Sequence, residues 1–291
     1  MNKPHRDTIF LEDADILSHQ AFEGDQFVMK LLAPHCAQKA QPGSFVHITC
    51  DPQLPMRRPI SIMRVSPEEG WVDLLYKRVG RGTTLLAKRQ AGEKISLMGP
   101  IGKPFSPSPS PERGKPLLIG GGVGMPPMIF LADALRKEAG KEPMVILGSE
   151  VPFPFKPAPS RIMVPGIPKG VIAAMPLLDD WEIPSRLASL QDFPGCFEGY
   201  VTDLARHWID ALDMTTRKSV EIFACGPHPM LEAVAALAKA YDIPCQVSLE
   251  EFMACAVGGC AGCVVEVETP EGPAMKRVCV DGPVFDARQV F

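Results

Sequence analysis

The C-terminal part of the chain places three cysteines in one glycine-rich loop and a fourth cysteine further along. They are Cys255, Cys260, Cys263 and Cys279. The first three have the C-x4-C-x2-C spacing of plant-type [2Fe-2S] sites, and a distant fourth cysteine completes the set. The glycines of the loop permit the tight turns that aim backbone N–H groups at sulfur. The pattern predicts a [2Fe-2S] cluster held by four thiolates, and hence a chain that carries electrons.

Two other interpretations of the four cysteines stay open. Structural zinc sites usually pair two short C-x2-C knuckles, whereas three of these cysteines crowd one loop and the fourth stands alone. The other interpretation is four unligated structural thiols. A zinc-binding interaction protein without catalytic activity is therefore the alternative from another functional class.

Length, composition and charge exclude several classes of protein and of partner. A chain of 291 residues suffices for two domains with a small appendage, and 46% hydrophobic content is ordinary for a globular protein. The net charge of −4 gives no electrostatic reason to expect nucleic acid or an anionic membrane as a partner. No apolar run reaches about 18 residues and residues 1–15 have no apolar core, so we expect neither membrane insertion nor export. An odd number of cysteines, nine, favours reduced thiols in the cytoplasm.

The N-terminal third of the chain reads as short strands. Apolar and polar residues tend to alternate, with turn residues between, in segments 26–31, 44–49, 61–65, 71–77 and 94–98. We expect an antiparallel β-barrel or sandwich over residues 1–110. The Ser-Pro repeat at 106–111 reads as a linker or exposed loop, because alternate residues lack an N–H donor.

The pattern then changes to an alternation of strands and helices. Apolar strands are predicted at 116–119, 144–148, 220–224 and 245–249, and amphipathic helices at 128–137 and 230–239. This order predicts a parallel-sheet, nucleotide-binding domain over 111–245, followed by a small cluster-binding region over 246–291. The proline-rich segment 152–194 is longer than a usual α/β connection, and the sequence assigns it no role.

Two neighbouring barrel strands carry a candidate flavin site. A guanidinium can bind a diphosphate bidentately and a hydroxyl can bond a flavin ring edge, and a glycine turn after the second strand can receive phosphate. The candidate FAD-binding residues are Arg58, Pro59, Ile60 and Ser61 on the first strand, Leu75, Tyr76 and Lys77 on the second, and Gly82 and Thr83 in the turn. The Tyr76 ring is expected to stack on the flavin, with capping of the barrel core as the alternative.

Two glycine turns in the second domain form a candidate NAD site. Each follows a predicted strand, and ligands of open α/β sheets gather at the carboxyl ends of strands, so both turns should border one crevice. The candidate residues are Gly120, Gly121, Gly122 and Gly124 in the first turn and Cys225, Gly226 and Pro227 in the second. Cys225 is either close to the reacting ring or a small buried thiol. His228 is expected to be structural or solvent-facing.

A carboxylate follows the strand at 144–148. Glu150 can accept a hydrogen bond from a ribose 2′-hydroxyl and repels a 2′-phosphate, and no arginine follows before Arg161. This favours NAD over NADP. Nothing in the chain resembles a nucleophile, a general-base pair or a catalytic metal site, so no catalytic side chain is assigned.

Taken in order, the motifs R-P-x-S, G-x-G-T, G-G-x-G-x-P-P, C-G-P-x-P-M and C-x4-C-x2-C resemble one family over nearly the whole chain. The chain resembles the electron-transfer subunits of NAD-dependent dihydroorotate dehydrogenase, within the ferredoxin reductase superfamily. The resemblance implies a relay among NAD, FAD and a [2Fe-2S] cluster, with the candidate residues above as ligands. It also implies a hetero-oligomer with an FMN-containing catalytic subunit that oxidises dihydroorotate in pyrimidine biosynthesis.

The chain departs from the family in two places. Ala256 stands where a glycine usually follows the first cysteine, and the 152–194 segment, with Trp181, is longer than the family pattern. Both departures bear on how a partner docks. A stand-alone or differently partnered NAD(P)H-dependent reductase is the alternative within the same chemistry.

Overall fold

The computed structural model describes residues 8–291, and its N-terminal portion is a closed antiparallel barrel. The strand order around the barrel is β1-β2-β5-β4-β3-β6. The elements are β1 (Phe10–Phe22), β2 (Gln26–Leu32), α1 (Pro34–Lys39), β3 (Phe45–Ile48), β4 (Arg58–Ser66), β5 (Trp71–Lys77), α2 (Arg81–Leu86) and β6 (Lys94–Ile101). The predicted antiparallel barrel is confirmed.

The first barrel strand, β1, is absent from the sequence-based prediction. It pairs with β6 through its first half and with β2 through its second, and a bulge between Ile16 and Ser18 shifts the register. Along most of its length β1 exposes side chains on both faces, and only Ala14 and Ile16 are buried. The alternation that marks a half-buried strand is therefore too weak here to be read from the sequence.

The second half of the chain forms a seven-stranded sheet in the order β12-β11-β8-β7-β13-β14-β17. Its elements are β7 (Lys115–Gly121), α3 (Met125–Leu135), β8 (Met144–Gly148), β11 (Ser185–Ser189), β12 (Phe197–Glu198), α5 (Val201–Asp210), α6 (Met214–Lys218), β13 (Val220–Cys225), α7 (His228–Ala240), β14 (Cys245–Ser248) and β17 (Val284–Asp286). Every pairing is parallel except that of β17 with β14. The predicted parallel-sheet domain is confirmed.

The barrel packs on the sheet domain through the helix α3. Met63 and Leu75, on the outer face of the barrel, are buried against α3, and Phe130 of that helix packs into the barrel cluster. The Ser-Pro connection lies between the two halves. Ser106 N donates to Gln246 Oε1 at 3.0 Å and Ser108 N to Glu221 Oε2 at 3.0 Å, so polar groups of the sheet hold this connection in place.

The proline-rich segment 152–194 contains β9 (Ala158–Pro159), β10 (Ala173–Ala174), α4 (Pro176–Asp180) and the strand β11. Asp179 accepts hydrogen bonds from Ser160 Oγ at 2.7 Å and Arg161 N at 2.9 Å. The buried Arg186 donates to Ile162 O at 2.7 Å. The segment thus contributes a sheet strand and is held by its own polar network.

The C-terminal region adds the hairpin β15 (Val264–Thr269) and β16 (Gly272–Arg277), then α8 (Val278–Asp281), β17 and α9 (Ala287–Val290). The predicted boundary at 245/246 falls within β14, and β17 returns to pair with that strand. Lys103 N donates to Gly282 O at 2.6 Å, which ties the same region to the end of the barrel. The division at 110 and 245 stays a prediction. Among residues 8–291, no helix has the length and apolar character to cross a membrane.

Candidate functional site

The strands β4 and β5 separate where the candidate flavin residues lie. Residues 58–61 of β4 pair with β3 on one side, but the pairing of β4 with β5 starts only at Ile62 and Leu74. In this part of the described chain the facing edges of the two strands are therefore outside the barrel ladder. Backbone donors and acceptors at such an opening are available to a ring edge.

Arg58 stands against the turn that begins α2. A Cβ atom added to Gly82 would lie 2.7 Å from Arg58 Nε and 2.9 Å from Arg58 Cζ, so a side chain here would displace the guanidinium from this position. Thr83 Oγ1 accepts hydrogen bonds from Val79 N at 3.0 Å and Gly80 N at 3.2 Å, which fixes the turn. The fold thus joins the arginine and the glycine turn, two parts of the predicted site that lie apart in the sequence.

The Tyr76 ring lies inside the barrel, so the prediction that it stacks on a flavin is wrong. The residue is 3% exposed, its ring stacks on Phe27 at 5.3 Å, and its hydroxyl bonds His19 Nε2 at 2.8 Å. Burial raises the pKa of this hydroxyl. A ring buried this deeply has no free face for a ligand. Tyr76 can contact a flavin only through its backbone.

The two glycine turns meet at the carboxyl ends of β7 and β13, which are neighbours in the sheet. A Cβ atom on Gly124 would lie 2.5 Å from Gly226 N, and one on Gly226 would lie 3.2 Å from Gly121 N. By contrast, Gly122 has φ +55° and open space around its Cβ position. The two turns thus lie against each other, as predicted, and Gly122 faces open space; the crevice that they should border stays a prediction.

Cys225, at the end of β13 where the second turn begins, is buried, 1% exposed. Burial, and next the Glu250 carboxylate, raise the pKa of its thiol well above the ordinary value, although the Ser248 hydroxyl opposes them. The thiol is therefore neutral at physiological pH. This placement fits both interpretations of Cys225. His228 is exposed, as expected, and lies beside the Phe291 ring at 5.1 Å.

Glu250 is a residue that sequence reasoning missed. Its side chain is open to solvent, yet it is surrounded by protein deeply enough that desolvation raises the pKa of its carboxyl. Its position two residues after β14, at the edge where both glycine turns lie, was the available signal.

Glu150 also follows a strand at this edge. It is exposed and lies two residues beyond β8, the neighbour of β7. The preceding residue is fixed by hydrogen bonds, since Ser149 Oγ accepts from Val151 N at 3.3 Å and Ser149 O accepts from Ser189 Oγ at 2.7 Å. The preference for NAD that was read from Glu150 stays a prediction.

The four cysteines gather as two pairs. Cys260 N donates to Cys255 Sγ at 3.4 Å, and these two thiols interact with each other. Cys263 and Cys279 form a second interacting pair, and the charge of Cys255 also acts on Cys279. Within residues 8–291, no three His, Cys, Asp or Glu side chains surround a single point as one metal ion needs. Two pairs of thiols match the donor set of a two-iron cluster, in which each iron takes two thiolates.

The backbone around Cys255 favours its thiolate. Burial raises the pKa of the Cys255 thiol, but N–H groups of Val257, Cys260 and Gly259 point at its sulfur and lower the pKa to about 7. Burial, and then the Cys263 thiol, raise the pKa of Cys279 to about 12. Ala256 has a positive φ of 56°, a conformation that glycine adopts at less cost than alanine.

His47 connects the flavin strand to the cysteine loop. Its ring is buried beside the backbones of Arg57, which precedes the candidate flavin arginine, and Met253, which lies two residues before the first cysteine. Burial, and next the Arg57 charge, lower its pKa to about 4. No well-aligned hydrogen bond reaches either ring nitrogen from the described residues. The His47 ring therefore lies between the chain just before the flavin strand and the chain just before the cysteine loop.

Comparison with known proteins agrees with this geometry. Residues 250–291 match the family described as the iron-sulfur cluster binding domain of dihydroorotate dehydrogenase B. The chain is 32% identical over 282 residues to the electron transfer subunit of dihydroorotate dehydrogenase B (NAD(+)) from Desulforamulus reducens, covering 96% of this chain and 97% of that protein. It is 33% identical over 260 residues to the subunit of the same name from Bacillus caldolyticus, covering 86% of each chain.

Solved structures share the architecture. An NADH-dependent reduced ferredoxin-NADP oxidoreductase has a TM-score of 0.77 at 26% identity, covering 96% of this chain and 90% of that chain. Phthalate dioxygenase reductase has a TM-score of 0.56 at 14% identity, covering 95% of this chain and 78% of that chain, which shows the fold alone.

The barrel, the crevice of glycine turns and the paired cysteines define an electron-transfer component of an oxidoreductase, whose cofactors are FAD, NAD and a [2Fe-2S] cluster. The chain belongs to the family of electron transfer subunits of dihydroorotate dehydrogenase B (NAD(+)). The resemblance read from the sequence motifs is confirmed.

Proposed function

We propose that this chain relays electrons between NAD(H) and a dihydroorotate-oxidising partner subunit. The observation that supports the proposal is the set of contacts that link the three candidate sites. The α3 helix, which follows the first glycine turn, packs on the outer face of the barrel, and the buried His47 ring lies beside Arg57 of the barrel and Met253 before the cysteine loop. A cofactor in each site would lie near the other two.

The flavin site would use the separated edges of β4 and β5 and the guanidinium of Arg58. The backbones of residues 58–61 and 75–77 would hold the ring edge, and Arg58 with the turn at Gly82 and Thr83 would hold the diphosphate. FAD supplies the conversion between a two-electron hydride and single electrons. The residues of the chain would orient the ring and bring it to the crevice.

The crevice between the glycine turns would hold NAD. Gly122 faces open space and the turn precedes α3, so its backbone N–H groups would bind the pyrophosphate. Glu150 would accept from the ribose 2′-hydroxyl. Cys225 and Glu250 would flank the nicotinamide, and neither needs to transfer a proton, because hydride passes directly between nicotinamide and flavin.

The cysteine loop would hold the [2Fe-2S] cluster, with Cys255 and Cys260 on one iron and Cys263 and Cys279 on the other. The partner would be an FMN-containing dihydroorotate dehydrogenase catalytic subunit in a hetero-oligomer, since the relatives are named electron transfer subunits of that enzyme. The cysteines, all free thiols in the described residues, support a reducing cytoplasmic location.

An anaerobic visible spectrum and EPR spectrum of the purified chain, before and after NADH, test this proposal. Iron, zinc and flavin are quantified in the same sample. We expect bound flavin, about two irons per chain, and an EPR signal of the reduced cluster after NADH. A colourless, zinc-loaded protein would instead support the zinc-binding alternative.

The Cys260→Ser variant tests the order of the relay. It should keep flavin absorbance and flavin reduction by NADH, but lose iron and electron transfer to the partner. Cys196→Ser is the matched control, because Cys196 is a free thiol outside the cysteine loop and its loss should change none of these. Retained transfer in Cys260→Ser would refute the relay through the cluster.

A differently partnered reductase is the second candidate. The match to the NADH-dependent reduced ferredoxin-NADP oxidoreductase, which covers 96% of this chain, favours it. Affinity purification of the tagged chain from its native cells separates the two. An FMN subunit in stoichiometric amount supports the first proposal, and a ferredoxin or another dehydrogenase supports the second.

A further inference from the structure

Arg277 links the fourth cysteine to the cysteine loop. It directly precedes α8, the short helix that carries Cys279. Its backbone N–H and its Nε donate to Asp281 Oδ2 at 2.8 and 3.2 Å, and its Nη1 donates to Gly258 O at 3.3 Å. One side chain thus connects both ends of α8 with the loop between the first two cysteines.

The contact with Gly258 is tight. Gly258 has φ +79°, and a Cβ atom there would lie 2.7 Å from Val280 Cγ2 and 3.0 Å from Arg277 Nη1. The Gly258 N–H points at the Cys279 thiol. Arg277 therefore holds Gly258 by the Gly258 carbonyl, and the N–H of the same Gly258 points at the fourth cysteine, Cys279.

The guanidinium also acts through its charge, because it lies within electrostatic reach of Cys263 and Cys279. Reducing a [2Fe-2S] cluster adds one electron and one negative charge. A nearby positive charge and N–H groups directed at sulfur both stabilise the reduced form more than the oxidised form.

We propose that Arg277 is a positioning residue that raises the reduction potential of the cluster, through its own charge and through the Gly258 backbone. The inference rests on the proposal that the four cysteines hold the cluster. It assigns to Arg277 a role in setting how readily the chain accepts an electron, apart from the ligands themselves.

An EPR-monitored redox titration of the full-length, cluster-loaded protein tests the proposal. Arg277→Gln should lower the potential, so that at a fixed ambient potential the ratio of reduced to oxidised cluster falls roughly two- to tenfold, as for one partly exposed charge. Arg277→Lys keeps the positive charge but loses the planar set of guanidinium N–H donors. The reduction potential of its cluster should therefore lie between those of wild type and Arg277→Gln. Arg288→Gln is the matched control, since Arg288 is an exposed arginine of the same region paired with Asp286.

The outcomes separate this proposal from the one it rests on. Wild-type protein without iron and sulfide would refute the cysteine assignment itself. A loaded Arg277→Gln protein with the wild-type potential would overturn the role of Arg277, as would an equal shift in Arg288→Gln. If Arg277→Gln loses its iron, the titration of Arg277→Lys tests the inference instead. A cluster potential below that of wild type supports the inference, and a wild-type potential overturns it.

Discussion

Replacing Gly124 by alanine should push the two glycine turns apart without straining the backbone. Gly124 has φ −83° and ψ −2°, a conformation that alanine adopts freely, so the cost is steric. The new methyl carbon would lie 2.5 Å from Gly226 N and closer still to the Cys225 carbonyl. Ordinary contact begins at 3.4 Å, so the second turn must retreat by about 1 Å.

This displacement should lower both the stability of the protein and the rate of hydride transfer. Overpacking of this kind costs about 1–3 kcal/mol, and each kcal/mol lowers the melting temperature of a domain of this size by about 2–4 °C. A misplacement of about 1 Å at a reacting centre can slow the reaction up to about a hundredfold. We therefore expect Gly124→Ala to keep its flavin and iron but to be reduced by NADH roughly 10- to 100-fold more slowly in anaerobic stopped-flow experiments.

The matched control is Gly140→Ala, in the loop after α3 and outside both turns. Its methyl group would meet open space, and a φ of +80° costs an alanine about 1–2 kcal/mol. This variant should lose stability while the second turn stays in place, so its reduction rate at saturating NADH should remain near that of wild type. A Gly124→Ala protein with the wild-type melting temperature and reduction rate would refute the close approach of the two turns.

Three further predictions concern other parts of the molecule. Arg58→Ala should lower the ratio of flavin to protein absorbance in the purified chain while Arg78→Ala, at an exposed ion pair, does not; a fully loaded Arg58→Ala would contradict the flavin assignment. Tyr76→Phe removes the bond to His19 and should cost about 1 kcal/mol in chemical denaturation without changing the flavin spectrum, whereas a changed spectrum would place the ring at the flavin after all. Burial raises the pKa of Asp179, but hydrogen bonds outweigh it and hold the pKa below its ordinary value, so the stability lost in Asp179→Asn should be evident at pH 7 and fade as the pH falls below about 4; a difference in melting temperature that is constant with pH would oppose this.

Much of the fold follows from residue periodicity, and its failures have physical causes. The apolar runs of β7, β8 and β13 were predicted because strands buried on both faces are mostly apolar. β11 was not, because three charged or polar side chains are buried in it. Ser185 Oγ accepts from Met175 N, Arg186 donates to backbone carbonyls, and Ser189 Oγ donates to Ser149 O. Burial that depends on such distant partners cannot be read from a local pattern.

The orientation of Tyr76 could have been predicted. Successive side chains of a strand face opposite sides, so Tyr76 shares a face with Val72 and Leu74, while Asp73 and Lys77 share the other. The apolar set marks the barrel interior. The alternation of side chains along β5 was therefore a better guide to the position of the Tyr76 ring than its closeness to a glycine turn.

The cysteine spacing was sufficient to predict the ligands but not their surroundings. Glu250 approaches Cys225 across the sheet, and Arg277 approaches Gly258 across the loop, through contacts that only the tertiary fold creates. Neither residue belongs to a motif. The chemistry of the ligands is local in the sequence, whereas the groups that adjust their properties come from elsewhere in the chain.

The C-terminal region is anchored on two sides, which bears on how electrons leave the chain. β17 pairs with β14 of the sheet, and Lys103 N bonds Gly282 O from the end of the barrel. A cluster held this way keeps a fixed distance from the flavin opening, unlike a ferredoxin domain on a flexible tether. Cys263 and Cys279 are buried, whereas Cys260 is exposed. If the four cysteines hold the cluster as proposed, its accessible edge is the one at Cys260, and a partner must approach from that side to receive an electron.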